Sequence, residues 1–239
     1  METHLIYYHS PETALNETQI LDYGTDDNGF FIIPQESCYF PGGGGQESDT
    51  AEITIGNTTS SIIKGAFHAN SLKIYIDRQE IEDNAIITLR IDPIKRAVNS
   101  QLHTAGHLIT SIIYEELKLN LTPIKGSHYP SNSAIEFDTA NTVQNIAIED
   151  INSILDTLIP QKLPIHSKIV STASSDYKDS FRTSHFTPKA DTSIRLVKIG
   201  NYLNYACGGT HVTDTAELQG IRVLKVNTKK NILKVKYGF

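Results

Sequence analysis

The chain has 239 residues, 39% of them hydrophobic and 20% charged, an ordinary globular composition with room for one large domain or two ordinary ones. No apolar run nears the ~20 residues that cross a bilayer, and Met1-Glu2-Thr3-His4 carries neither the basic nor the apolar part of a secretory signal, so a cytoplasmic protein with no membrane partner is expected. Two cysteines, Cys38 and Cys207, make no disulfide framework, and in a reducing compartment a cysteine near histidines reads as a metal ligand or reactive thiol. In chain order, residues 1–92 look β-rich. Runs at 29–34, 51–55, 61–66, 71–76 and 86–91 are separated by Gly, Asn, Asp and Ser clusters, the spacing of a small barrel or sandwich. Cys38, ahead of Tyr39-Phe40, reads as a small core residue.

Asp92-Pro93 ends that pattern. Ala97, Leu102, Ala105, Leu108, Ile109, Ile112, Ile113 and Leu117 recur at helical spacing, predicting a helix over 94–118. A second helix is expected over 148–158, stopping before Pro160. Strands are expected at 165–171, 194–199, 221–226 and 232–237, the last two joined as a hairpin. Residues 171–191 are polar and aperiodic and read as a loop. The fold class is therefore α+β: a small N-terminal β-barrel domain, 1–92, followed by an α+β domain, 93–239, with an antiparallel sheet and packed helices.

The formal charge of −6 is unevenly spread. Residues 1–60 hold ten of the 27 acidic side chains and no Lys or Arg, so the rest of the chain carries all 21 basic residues against 17 acidic. Lys225, Lys229, Lys230, Lys234 and Lys236 crowd the end. This distribution permits a polyanion partner; on charge alone, solvated strand lysines are the better explanation.

Two short motifs carry chemistry. In His103-Thr104-Ala105-Gly106-His107 the histidines are four apart, hence on one face of the helix. In Cys207-Gly208-Gly209-Thr210-His211 two glycines suit a tight turn that brings a thiolate to an imidazole. Each pair alone is a weak signal; together, three imidazoles and one thiolate make a zinc donor set. Gly106 inside a good helix fits either a metal site or close packing.

These motifs, followed by Val212-Thr213-Asp214-Thr215-Ala216-Glu217-Leu218 and Ile221-Arg222-Val223-Leu224-Lys225-Val226, closely resemble the editing domain of alanyl-tRNA synthetases and, still more, the free-standing alanyl-tRNA editing proteins. Tyr39-Phe40-Pro41 with Gly42–Gly45, Gln46 and Ser48-Asp49 resembles the glycine-rich motif of the larger members, which place a β-barrel before the editing domain. The resemblance covers nearly the whole chain, although Gln219 is an extra residue after the last ligand motif and 172–189 finds no match. It implies that His103, His107, Cys207 and His211 are zinc ligands, that the partner is tRNA and not DNA, and that the activity is hydrolysis of serine, or glycine, from mischarged tRNA(Ala). No stretch resembles an aminoacylation domain, so no ligase activity is expected.

Serine differs from alanine by a hydroxyl that an apolar pocket rejects poorly, which makes a second, hydrolytic site useful. That site needs a polar group for the seryl hydroxyl; the candidates are Thr104, Thr122 and Ser127, with Gln46 lining substrate or fixing the barrel. Thr122 and Ser127 also fit plain loop chemistry around Pro123 and Gly126, and His128 reads better as an exposed loop residue than as a base. The glycines fit a flexible hairpin or a phosphate-cradling loop, though the Lys-Ser/Thr of a P-loop is missing. Four ligands would close a zinc site unless it expands or loosens one of them. A zinc-stabilised RNA-binding module without catalysis is therefore one alternative; another zinc hydrolase is a second, weakened by Thr104 standing where H-E-x-x-H needs Glu.

Overall fold

The computed structural model describes residues 2–82, 85–139, 146–183 and 187–239. It divides into two compact units, one of residues 1–43 and 47–97, the other of 44–46 and 98–239. No helix among the described residues is long and apolar enough to cross a membrane.

The first unit contains β1 (His4–Leu5), β2 (Leu15–Asp26), β3 (Gly29–Pro34), β4 (Glu36–Ser37), β5 (Ala51–Ile55), β6 (Thr58–Ser61), β7 (Lys64–His68), β8 (Ser71–Tyr75) and β9 (Ile86–Ile91). Seven of them form one curled antiparallel sheet, a half-barrel in the order β6-β5-β9-β2-β3-β8-β7; β1 and β4 pair separately and in parallel. The long β2 serves both halves of the curl. Its first part, Leu15 to Gln19, pairs with β9, and after a register shift between Ile20 and Asp22 it pairs with β3; such an irregularity bends a strand and raises its twist. The run expected as one strand over 61–66 is instead two, β6 and β7. Ile62 donates its amide to Ala51 and Ile63 donates to Tyr75, so the chain changes partner there. Inside the curl Ile32, Cys38, Ile53, Leu72, Ile74, Ile87 and Leu89 are fully buried, which places Cys38 in the core as its sequence context suggests.

Helix α1 (Pro93–Ser111) begins on Asp92, whose Oδ1 accepts from the amides of Ile94 (2.9 Å) and Lys95 (3.1 Å). The capping carboxylate and proline at the first helical position explain why the strand pattern breaks there. The helical run continues through 112–116 as a wide π turn, close to the expected end.

The second unit has two antiparallel sheets and two further helices among the described residues. β10 (Thr122–Ser127), β11 (Ala134–Asp138), α2 (Ile148–Leu158), β12 (Ile165–Ser171), α3 (Ser175–Lys178), β13 (Ser193–Ile199), β14 (Tyr205–Ala206), β15 (Arg222–Lys229) and β16 (Ile232–Gly238) follow in order. The sheets run β10-β11-β16-β15 and β12-β13-β14. Leu102, Ala105, Leu108, Ile109, Ile112 and Ile113 of α1, with Ile151 and Leu155 of α2, form one core cluster with Ile135, Phe137, Leu233 and Val235 of the larger sheet. Both helices hold their apolar residues at three- and four-residue intervals, so each buries one stripe. Within the polar stretch expected as a loop, Ser174 caps the short α3 by accepting from the Tyr177 amide (3.3 Å); residues 184–186 of that stretch lie outside the described residues.

Candidate metal centre

The helix does what its four-residue spacing dictates: His103 and His107 lie on one face of α1 with their rings 5.0 Å apart. The Cys-x-x-x-His turn follows β14. The Cys207 amide donates to Arg195 O (3.1 Å), and the Arg195 guanidinium donates back to the carbonyls of Cys207 (3.3 Å) and Gly209 (2.7 Å). Arg195 thus fixes the turn on β13 through charge-assisted hydrogen bonds. Gly209 is required for close approach: a Cβ there would fall 2.3 Å from His103 Nδ1.

The result is a cluster in which one donor atom each from His103, His107, Cys207 and His211 all lie within 4.8 Å of one another. Cys207 Sγ is 3.3 Å from His103 Nε2 and 3.4 Å from His211 Nε2; nitrogen and sulfur ligands of a tetrahedral ion at bond lengths of about 2.0 and 2.3 Å stand roughly 3.6 Å apart. The protonation pattern fits as well. Thr104 gives its one hydroxyl proton to Ser100 O (2.8 Å), so its oxygen must accept from His211 Nδ1 (3.0 Å). His211 therefore carries its proton on Nδ1 and turns a bare Nε2 toward the sulfur. His107 Nδ1 is buried and has no hydrogen-bond partner among the described residues. Burial, then the neighbouring histidines and Arg195, hold His103 well below the ordinary imidazole range; burial foremost does the same to His107 and His211. All three are thus neutral, as ligands must be. Burial pushes the Cys207 thiol up, a penalty that a bound cation reverses. These four side chains can hold a metal ion.

Around the cluster stand residues that the sequence passed over or read otherwise. Tyr205 stacks on His107 (4.3 Å between centroids, 23°), and its hydroxyl donates to His107 O (2.9 Å). His128, expected as an exposed loop residue, is buried: its ring stacks on His103 at 4.3 Å, and its Nδ1 lies 2.5 Å from the Tyr237 hydroxyl. Burial lowers its pKa to about 4. An arginine in the apolar run of β13 was the one visible signal for Arg195; nothing local marks Tyr205, and nothing local shows that His128 is buried.

The remaining sequence candidates are distributed unequally. Gln46 is buried among His103 and Thr210, and Thr104 holds His211. Thr122 and Ser127 begin and end β10, so the segment read as loop chemistry is a strand; Pro123 sits at its register shift. Ser127 donates to Asn132 O (3.1 Å). Thr122 lines a cavity of about 450 Å³ with Tyr114, Phe181 and Arg182. Neither hydroxyl bonds any of the four donors among the described residues.

Gly106 answers the question its sequence position raised. A Cβ there would fall 2.5 Å from His128 Cε1 and 2.8 Å from the Tyr237 hydroxyl oxygen, so the glycine serves close packing of His128 on the helix. Gly106→Ala is expected to cost about 1–3 kcal/mol net by overpacking, against the roughly 1 kcal/mol that alanine contributes as a better helix former. Urea unfolding decides the sign; a stabilised variant would contradict the packing account.

Comparison with known proteins agrees with this centre. The family described as the threonyl and alanyl tRNA synthetase second additional domain matches residues 194–233, which include Cys207 and His211. The alanyl-tRNA editing protein AlaX-M of Methanosarcina barkeri is 26% identical over 86% of this chain and 86% of its own length. AlaX-L of Pyrococcus horikoshii is 24% identical, covering 97% of this chain and 57% of its own. The alanine–tRNA ligase of Halorubrum lacusprofundi is 22% identical over 94% of this chain, which spans only 24% of that ligase. Nearly end to end, then, the chain is similar to AlaX-type alanyl-tRNA editing proteins and to the editing region of alanine–tRNA ligases.

Proposed function

We propose that the chain is a free-standing deacylase that removes serine, and also glycine, from mischarged tRNA(Ala), using zinc held by His103, His107, Cys207 and His211. Residues 93–239, with Gln46, supply the editing site, and 1–92 the barrel that precedes it. The observation that carries this reading is the convergence of the four donors within 4.8 Å, in a chain whose relatives are named for alanyl-tRNA editing. Bound zinc supplies a Lewis acid for the ester carbonyl and acidifies water. The protein's own part is orientation. Thr104 fixes His211 and has no proton left for a substrate. Arg195 holds the Cys207 turn. Tyr205 covers one face of His107. Ser127 has spent its proton on Asn132 O, whereas Thr122 has no hydrogen-bond partner among the described residues, so Thr122 is the hydroxyl free to meet a seryl side chain.

The test is release of amino acid from Ser-, Gly- and Ala-tRNA(Ala), with zinc content measured on the same preparation. Rapid release of serine and sparing of alanine are expected. Thr122 is exposed, so a seryl hydroxyl bonded to it is worth the net of one hydrogen bond, roughly 0.5–1.5 kcal/mol, or about 2- to 13-fold in rate at 1.36 kcal/mol per decade. Binding of tRNA with no release of any amino acid would instead favour a zinc-stabilised RNA-binding module.

A further inference from the structure

The glycine-rich stretch has an occupation that its composition does not reveal. Gly42, Gly43, Gly44 and Gly45 all have positive φ (90°, 131°, 58° and 82°), a run that only glycine adopts freely. Gly45 accepts from the His128 amide (2.8 Å), and a Cβ on it would lie 2.3 Å from Gly126 O. The stretch is therefore packed against protein at its end, and what it presents is the next side chain, Gln46, which is 1% exposed.

Every polar atom of that side chain is used. The Thr210 amide donates to Oε1 (3.0 Å), and Nε2 donates to Thr210 Oγ1 (2.7 Å). A backbone N–H needs an acceptor, so the amide orientation is fixed: the atom facing Thr210 N is the oxygen. The same oxygen is 2.7 Å from His103 Nδ1. A carbonyl oxygen has no proton to give, so Nδ1 carries the hydrogen and Nε2, the atom 3.3 Å from Cys207 Sγ, is left bare. Gly209 leaves no slack, because a Cβ there would sit 2.1 Å from His103 Cε1 and 2.9 Å from Gln46 Oε1. One amide thus ties a ligand imidazole on α1 to the turn that carries the Cys207 and His211 ligands.

We propose that Gln46 is a positioning residue of the metal centre: it selects the Nδ1–H tautomer and the ring orientation of His103, so the glycine-rich stretch serves the metal and not a phosphate. The inference rests on the metal reading above. Partners of this kind raise ligand basicity and fix ring orientation.

The experiment uses the full chain and two substitutions. Gln46→Leu removes both the acceptor and the donor. Gln46→Glu keeps an acceptor for His103 and Thr210, and the Thr210 hydroxyl can donate to it. Zn2+ affinity is read by chelator competition, the ligand field by the visible spectrum of the Co2+ form, and the His103 tautomer by 15N NMR of the metal-free protein. Gln46→Leu is expected to weaken Zn2+ binding by about 10- to 100-fold, with Gln46→Glu restoring most of it, and wild-type His103 is expected as the Nδ1–H form. Unchanged affinity in Gln46→Leu, equal loss in both variants, or an Nε2–H tautomer in the wild type would each overturn the inference while leaving the metal reading intact. A wild-type protein that takes up no metal would overturn both. The tautomer measurement needs only wild-type protein, so the inference remains testable if Gln46→Leu does not fold.

Discussion

Cys207→Ala is expected to lose its bound metal and at least about a thousandfold of the deacylation rate, a loss of about 4 kcal/mol of transition-state stabilisation. Cys207 Sγ is the one donor of the set that becomes an anion, and it faces the Nε2 atoms of His103 and His211 at 3.3 and 3.4 Å. Without it, three neutral imidazoles remain in a site whose burial already disfavours charge. The fold should survive, because the Gly209 amide's bond to the sulfur (3.3 Å) is only one of the turn's holds: the Cys207 amide and carbonyl are held by Arg195, and Gly209 O by the same guanidinium. His211→Ala should lose metal too, and it removes one of the two donors to the Thr104 hydroxyl, which keeps its bonds to Ser100 O and the Val212 amide. Metal content by atomic absorption and hydrolysis of Ser-tRNA(Ala) are measured on the same samples. Wild-type turnover by a metal-free Cys207→Ala protein would refute a metal-dependent mechanism outright.

Much of this centre is written in local spacing. Two histidines four apart on a helix can meet one ion whatever the rest of the fold does, and a thiolate separated by two glycines and a threonine from a histidine is a turn. Helix α2 was legible at both ends for the same reason: periodic apolar residues and then a proline. What escaped detection depends on long-range contacts. β2 is the longest strand of the first unit, yet its buried phase includes Asn16 and Thr18. Asn16 accepts from the Cys38 amide (3.0 Å) and Thr18 from the Glu36 amide (2.9 Å), so the inward face looks polar and the alternation disappears from view. β10 was hidden by Pro123 and Gly126, residues that usually punctuate loops. Here the proline falls at a register shift and the glycine beneath His128. Gln46 was noticed, but its partners are 57 and 164 residues away, beyond any periodicity argument.

The second large effect lies in the first unit, where Asp49→Ala is expected to cost about 3–5 kcal/mol. Arg96 and Asp49 form an ion pair with side chains 3% and 0% exposed. The pair is bidentate, Nε to Oδ1 at 3.0 Å and Nη2 to Oδ2. The guanidinium also donates to Pro11 O (2.8 Å) and Cys38 O (2.6 Å), and Oδ2 accepts from the Phe40 amide (2.7 Å) while Asp49 N donates to Phe40 O (3.0 Å). Removing the carboxylate leaves a buried cation and an orphaned amide, the costly way to break such a pair. Removing both charges is different: Asp49→Leu with Arg96→Met gives up the ionic attraction together with its desolvation cost, and is expected to recover the part of the loss due to the stranded cation, though not the part due to the Phe40 amide. For a unit of this size, 3–5 kcal/mol lowers the unfolding midpoint by roughly 15–30 °C. Thermal unfolding of Asp49→Leu, Arg96→Met and the double variant closes the cycle. A single variant within about 1 kcal/mol of wild type would mean that solvent reaches Arg96, because only a shielded charge pays the full penalty of losing its partner.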